Sequence, residues 1–143
     1  MEGAPRVRFG DAVKKALNGY KDYGSRSRRS EYWFWALFVF LCSLVVMVIA
    51  MGINKLTGSD YGNILAYIFD AVVFFVFSLP LAVRRLHDTG RSGWFMLLIL
   101  IPLVGAIILI IFFVTDSVRE QNQWGPSPKY SGSTDGFLPS ETV

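Results

Sequence analysis

An all-α integral membrane protein, with three transmembrane helices preceded by a short amphipathic interfacial helix, is predicted by three observations. The 143 residues are 52% hydrophobic and 15% aromatic, with a mean hydropathy of +0.41, a poor match to a soluble domain. The apolar residues are segregated: Tyr32 to Met51 (20 residues) and Trp94 to Val114 (21) carry no charge, and Ile64 to Val83 (20) carries only Asp70. The cations gather at the boundaries of these runs. A helix of about 20 residues covers the roughly 30 Å hydrocarbon core and satisfies its own backbone there. Three such runs in a soluble core would leave little polar surface to face water. One membrane domain is expected over residues 1–130, with a tail over 131–143 whose Ser, Gly, Thr and Pro content predicts disorder.

Before the first run, Phe9, Ala12, Val13, Ala16, Leu17 and Tyr20 recur at helical spacing, with Asp11, Lys14, Lys15 and Asn18 on the other side. This is the interfacial helix, with Asp11 as N-cap and Gly19 as stop. Its lysines face lipid phosphates while the apolar stripe rests on acyl chains; the other reading packs that stripe on the protein's own cytosolic parts. Arg26, Arg28 and Arg29 then form a basic collar, Ser30 and Glu31 suit a helix start, and Tyr32, Trp33 and Trp35 set the depth of the first span. That span begins too late and runs too long for the h-region of a signal peptide, roughly 7 to 15 residues, and reads as a retained anchor. Within it Ala36, Ser43 and Ala50 repeat every seven residues, a small-residue seam for a neighbouring helix, internal or from another subunit.

Residues 55–63 are a turn-rich external connection. In the second span Asp70 is costly unless paired, protonated or wet, which makes it a candidate functional acid; if the span is shifted, it sits at the outer interface instead. Pro80 and Pro102 each remove a backbone donor and crowd the carbonyl four residues earlier, at Val76 and Leu98, predicting kinks; Gly105 and Ala106 add a small surface beside the second.

Charge sets orientation. Of 14 Lys and Arg, eight precede the first span and three lie between residues 84 and 93, so alternate sides carry eleven against three. The positive-inside rule then places the N-terminus and the 84–93 loop in the cytoplasm, and the C-terminal tail outside. A pI near 9.2 without any nucleic-acid motif points to anionic headgroups as counter-charge, so no nucleic-acid partner is expected. Cys42 is alone and cannot form an internal disulfide; one Cys and one His give no structural zinc site, and no cofactor is expected.

The densest chemistry is the connection Arg84-Arg85-Leu86-His87-Asp88-Thr89-Gly90-Arg91-Ser92-Gly93-Trp94, which holds the only histidine. Continuing the second helix puts Arg84, His87 and Asp88 on one face, with Arg85 elsewhere; Thr89 and Gly90 offer a stop and Ser92 a cap. Two readings follow. Arg84, Arg85 and Arg91, with Arg26 and Arg29 of the collar, grip an anionic headgroup while His87 and Asp88 form a proton-handling pair. Alternatively Asp88 steadies the turn and neutralises arginine, and the cations only enforce orientation. A clear nucleophile or metal set for an enzyme is missing, and lipid-phosphate chemistry at His87 and Asp88 is the minor reading.

The same stretch, followed by Ile101-Pro102-Leu103-Val104-Gly105, resembles the signature of domain-of-unknown-function family 805, small bacterial inner-membrane proteins. Arg26, Arg29, Glu31, Tyr32 and Trp33 resemble its N-terminal arginine and Glu-Tyr-Trp element, and Asn122, Trp124, Gly125 and Pro126 its closing motif. Ser25 stands where the family commonly has glycine, and Gln123 where it commonly has arginine. The resemblance spans roughly Gly10 to Pro128 and implies a bacterial inner-membrane protein; the family brings no established activity. The expectation is a non-enzymatic, multi-pass membrane component that binds lipid headgroups or a protein partner through its basic cytosolic hairpin, with small-residue seams for homo-oligomers. The alternative is an oligomeric transporter or channel subunit using Asp70 as an intramembrane ion or proton site.

Overall fold

The structure is a computed structural model that describes residues 5–130; the tail over 131–143 lies outside the described residues. Five α-helices follow one another: α1 (Phe9–Asn18), α2 (Arg29–Thr57), α3 (Tyr61–Val73), α4 (Leu79–Asp88) and α5 (Val104–Val114). A π-helical turn, Phe74–Ser78, joins α3 to α4, and a 3₁₀ segment, Gly93–Leu100, precedes α5. Among the described residues there is no sheet, only an isolated bridge between Asn122 and Gly125.

Helix α1 starts at Phe9 with Arg8 at the cap position, so Asp11 falls in the first turn rather than at the cap, and Gly19 ends the helix as expected. Its Ala12 and Ala16 are buried. Phe9 meets Phe34 and Phe38 of α2 edge-on, at ring separations of 5.8 and 6.4 Å. The apolar stripe therefore packs, at least in part, on the protein itself. Lys15 does not point away: its Nζ donates to Glu31 at 2.8 Å.

Helix α2 opens where a carboxylate can satisfy the free amides of a first turn. Glu31 accepts from the Ser27 hydroxyl at 2.7 Å and the Arg28 amide at 3.3 Å. The helix runs for 29 residues and ends at Gly58, whose φ of 65° only glycine adopts readily. It is long and apolar enough to cross a membrane, and so is the continuous 28-residue stretch Tyr61–Asp88. The turn between them is held by Asn54, which accepts from the Gly62 amide at 2.7 Å. A side chain at Gly62 would collide with the Ala50 carbonyl, so the two helices approach closely at this end. Two members of the small-residue seam are thus used internally: Ala50 against Gly62, and Ser43 donating to Asp70 at 2.7 Å.

Pro80 does not simply kink its helix. A proline ring crowds the carbonyl four residues back. The chain widens over Phe74–Ser78, and the Leu79 amide reaches the Phe74 carbonyl five residues back. The indole of Trp35 donates to Ser78 Oγ at 3.0 Å within the widened turn.

The third apolar run departs from expectation: it is not one helix. From Gly93 to Leu100 it is 3₁₀-helical, and it then reverses over residues 101–103. Ile101, preceding Pro102, is driven out of the helical region (φ −94°, ψ 103°), and Leu103 takes a positive φ of 62°. Helix α5 then runs back along the 3₁₀ segment: Phe95 meets Phe112 edge-on at 5.7 Å, and Gly105 lies so close to the Leu98 carbonyl that a Cβ would overlap it. At about 2.0 Å per 3₁₀ residue and 1.5 Å per α residue, each leg is about 16 Å long, half of a hydrocarbon core. A third spanning helix over 94–114 is therefore not formed, because Pro102 interrupts the run and Gly105 lets its halves fold together.

The packed interior lies around α4, at the end where α2 begins. Ala82 and Leu86 meet Leu109 and Phe113 on one side, and Leu81 meets Ala16 and Trp35 on the other. Elsewhere α2 and α3 expose nearly continuous apolar surface.

Candidate functional site

The end of α4 carries Arg84, Arg85, His87 and Asp88, all buried. Helical spacing of three brings Arg85 rather than Arg84 onto Asp88: Arg85 Nη1 donates to Asp88 Oδ2 at 2.5 Å. Arg26 Nε donates to Oδ1 of the same carboxylate at 3.1 Å, and the Ser117 hydroxyl to Oδ2 at 2.5 Å. Asp88 has no exposed surface at all. The structure thus gathers Arg26, Arg85 and Asp88 into one centre.

What surrounds this centre is mostly backbone. Arg26 Nη1 donates to the carbonyls of Glu120 (3.0 Å) and Gly125 (3.1 Å), and Nη2 to those of Asp88 (3.2 Å) and Val118 (2.6 Å). With the bond from Nε, all five guanidinium donors are used. Arg85 donates to the Phe113 carbonyl at 3.2 Å and to that of Thr115. Arg29 adds a bond to the Val114 carbonyl at 3.3 Å. Helix α5 has no basic residue in its own last turn, so Arg85 and Arg29 supply the positive charge that its carbonyl end favours. The excess cation beside Asp88 is balanced by these carbonyls, which is how two buried arginines share one carboxylate.

Arg84 is buried apart from this centre, at 2% exposure, with Nη1 3.7 Å from Asp22 and its guanidinium against Gly19 at the carbonyl end of α1. Its Nε and Nη2 have no hydrogen-bond partner among the described residues. Burial opposes ionisation of Asp22, but the Ser25 hydroxyl, the amides of Ser25 and Gly24 and the Arg84 charge together hold its carboxyl below the ordinary value. His87 is not paired with Asp88. Its ring stacks on Trp124 at 4.2 Å and 8°, and its carbonyl accepts from Asn122 at 2.9 Å. Arg91 covers the ring of Phe112 at 4.0 Å, and Ser92 accepts from the Trp94 amide at 3.4 Å. Asp70 lies far along the helix from all of these, on Ser43.

Sequence reasoning did not single out Ser117 or Asp22, nor a role for the closing segment. That segment did carry a signal in its Asn122-Trp124-Gly125 pattern. Asn122 and Gly125 close a turn by paired backbone bonds of 3.2 and 2.9 Å, Gly125 takes a φ of 106°, and Trp124 stacks on the histidine.

One basic surface remains open. A groove of about 340 Å³ runs beside the start of α2, lined by Arg6, Arg28, Arg29, Ser30, Phe34, Asp116 and Lys129 among others. Lys129 binds Asp116, which lowers the carboxyl and raises the ammonium relative to their ordinary values. Arg28 is engaged with the carbonyls of Pro128 (2.5 Å) and Pro5 (2.9 Å), whereas Arg29 and Arg6 are exposed.

Two long apolar helices, sealed at one end by a buried arginine–aspartate centre, define a small all-helical protein of membrane type. The chain belongs to the family described as protein of unknown function DUF805, whose profile matches residues 20–126. It is similar to the inner membrane protein YhaH of Escherichia coli (strain K12), 36% identical over 124 residues, which cover 83% of this chain and 97% of that protein. The inner membrane protein YhaI of the same strain is 33% identical over 118 residues, 82% of this chain and 94% of that one. No solved structure matches significantly.

Proposed function

We propose that this chain is an integral protein of a bacterial inner membrane with two spanning helices, a half-depth hairpin formed by residues 93–114, and both described ends on the cytosolic side. It acts there as a non-enzymatic component that holds anionic lipid headgroups. The similarity to inner membrane proteins of Escherichia coli supports the location. The hairpin supports the topology, because it returns residues 115–130 to Arg26 and Asp88 and removes the odd crossing from which an external C-terminus would follow. Thirteen of the 14 cations then share one side, with Lys55 alone on the other, a stronger bias than three spans give.

The division of the arginines carries the lipid reading. Arg26 and Arg85 are spent on the protein's own carbonyls and carboxylate, and Arg84 is buried. Arg6 and Arg29 are exposed on the groove, Arg29 giving one donor to the Val114 carbonyl and keeping the others open, with Phe34 as an apolar wall, so phosphate oxygens and the first methylenes of a lipid both find partners. Native mass spectrometry should show phosphatidylglycerol or cardiolipin retained by the wild type and lost from Arg6→Gln/Arg29→Gln, which leaves the buried centre intact. Equal retention by the double variant overturns the headgroup site. A C-terminal fusion should be active as a cytosolic reporter and silent as a periplasmic one; the reverse result overturns the topology.

A further inference from the structure

Asp70 is in an unusual position for a membrane helix. Its bonding partner Ser43 stands fourteen residues from each end of α2, and Asp70 itself is nine residues into α3, about 13 Å from the helix start. Both are therefore at mid-depth if the helices span, a reading on which this inference rests. The Ser43 hydroxyl serves one carboxyl oxygen at 2.7 Å, while Oδ2 has no hydrogen bond among the described residues and the residue is exposed. An open carboxyl oxygen facing acyl chains costs free energy that a donor at the same depth would recover.

The rest of that face is not an ordinary lipid surface. Asn63, Tyr67, Asp70 and Phe74 follow one another at intervals of four, three and four, the seam spacing of two helices packed side by side, and all four are exposed. Tyr67 is 74% exposed and its hydroxyl has no hydrogen bond among the described residues. Exposed Ala71 lies beside the stripe and leaves room for a neighbour. Asp70 and Tyr67 thus offer an unmet acceptor and an unmet donor one turn apart.

We propose that this face is completed by a second copy of the chain, related by a two-fold axis along the membrane normal, with Tyr67 of the second copy donating to Asp70 Oδ2 and the reverse. A parallel two-fold arrangement brings equal depths together, so one turn of offset is the separation that the Tyr67 ring has to bridge. A lipid tail supplies no donor, and a donor at this depth is what the chain itself carries on the same stripe. The carboxylate site is complete only in the pair.

Disulfide cross-linking in native membranes, on a Cys42→Ser background, tests this. Phe74→Cys lies on the stripe; Val72→Cys, at similar depth, points away from it. Phe74→Cys should give a product of twice the chain mass, and Val72→Cys should not. Adding Tyr67→Phe removes both symmetry-related bonds and should lower the association constant by about ninefold, about threefold for each interhelical hydrogen bond lost in a bilayer. Equal cross-linking at both positions, a product of another mass, or no effect of Tyr67→Phe overturns the pairing. Reaction of Val72→Cys with a water-soluble maleimide in sealed vesicles would instead overturn the spanning reading beneath it.

Discussion

Asp88 is the residue on which most of the centre depends. It receives Arg26, Arg85 and Ser117 with no water-exposed surface. Removing one partner of a buried ion pair leaves the other charge uncompensated, at about 3–5 kcal/mol. Asp88→Ala should be destabilised by that order, read as a fall in thermal midpoint in detergent, with Asp88→Asn intermediate because it keeps an acceptor. At the two peripheral carboxyls, Asp22 and Asp116, the folded value lies below the ordinary 3.8. The contribution of each is therefore present above 3.8 and lost as pH falls through the lowered value. The difference in thermal midpoint between the wild type and Asp22→Asn should therefore be constant near neutrality and shrink only in acid, and likewise for Asp116→Asn; both groups are about half exposed, so the effect is modest. The residue types of this centre were legible in the sequence, but their pairing was not. Helical spacing alone allows Asp88 either Arg84 or Arg85, and carbonyls of residues 113–125 have no signature in side-chain identity.

At the level of elements, run length identified α2 and the Tyr61–Asp88 stretch but misjudged the third run. Composition distinguishes apolar from polar; it does not say whether an apolar segment stays straight. Pro102 removes a donor and pushes Ile101 out of the helix, and the reversal succeeds because Gly105 admits the Leu98 carbonyl. Two 16 Å legs then pack side by side where a single helix of about 30 Å was expected. A bulky residue at 105 should open this hairpin. Gly105→Val is expected to cost about 1–3 kcal/mol, the usual range for overpacking, read as a fall in thermal midpoint in detergent. Pro80 shows the opposite outcome: its ring is absorbed by a π-helical turn, and the helix continues.

Over the whole molecule, the closing segment returns to the lead into α2 at Arg26. Its guanidinium reaches Asp88 and the carbonyls of Val118, Glu120 and Gly125, so the lead into α2, the end of α4 and the closing segment are held by one side chain. Arg26→Gln should therefore speed hydrogen exchange across residues 115–126 while leaving the amides in the middle of α2 and α3 as slow as in the wild type. That locking arginine leaves the ribosome about a hundred residues before its last partner does, at a synthesis rate of about 5–20 residues per second. For several seconds, then, the newborn protein carries an arginine at the membrane boundary with no carbonyls to hold. A chain interrupted before residue 118 leaves three of that guanidinium's five donors without their carbonyls, so the same side chain that closes the fold also marks whether synthesis has reached its last partner.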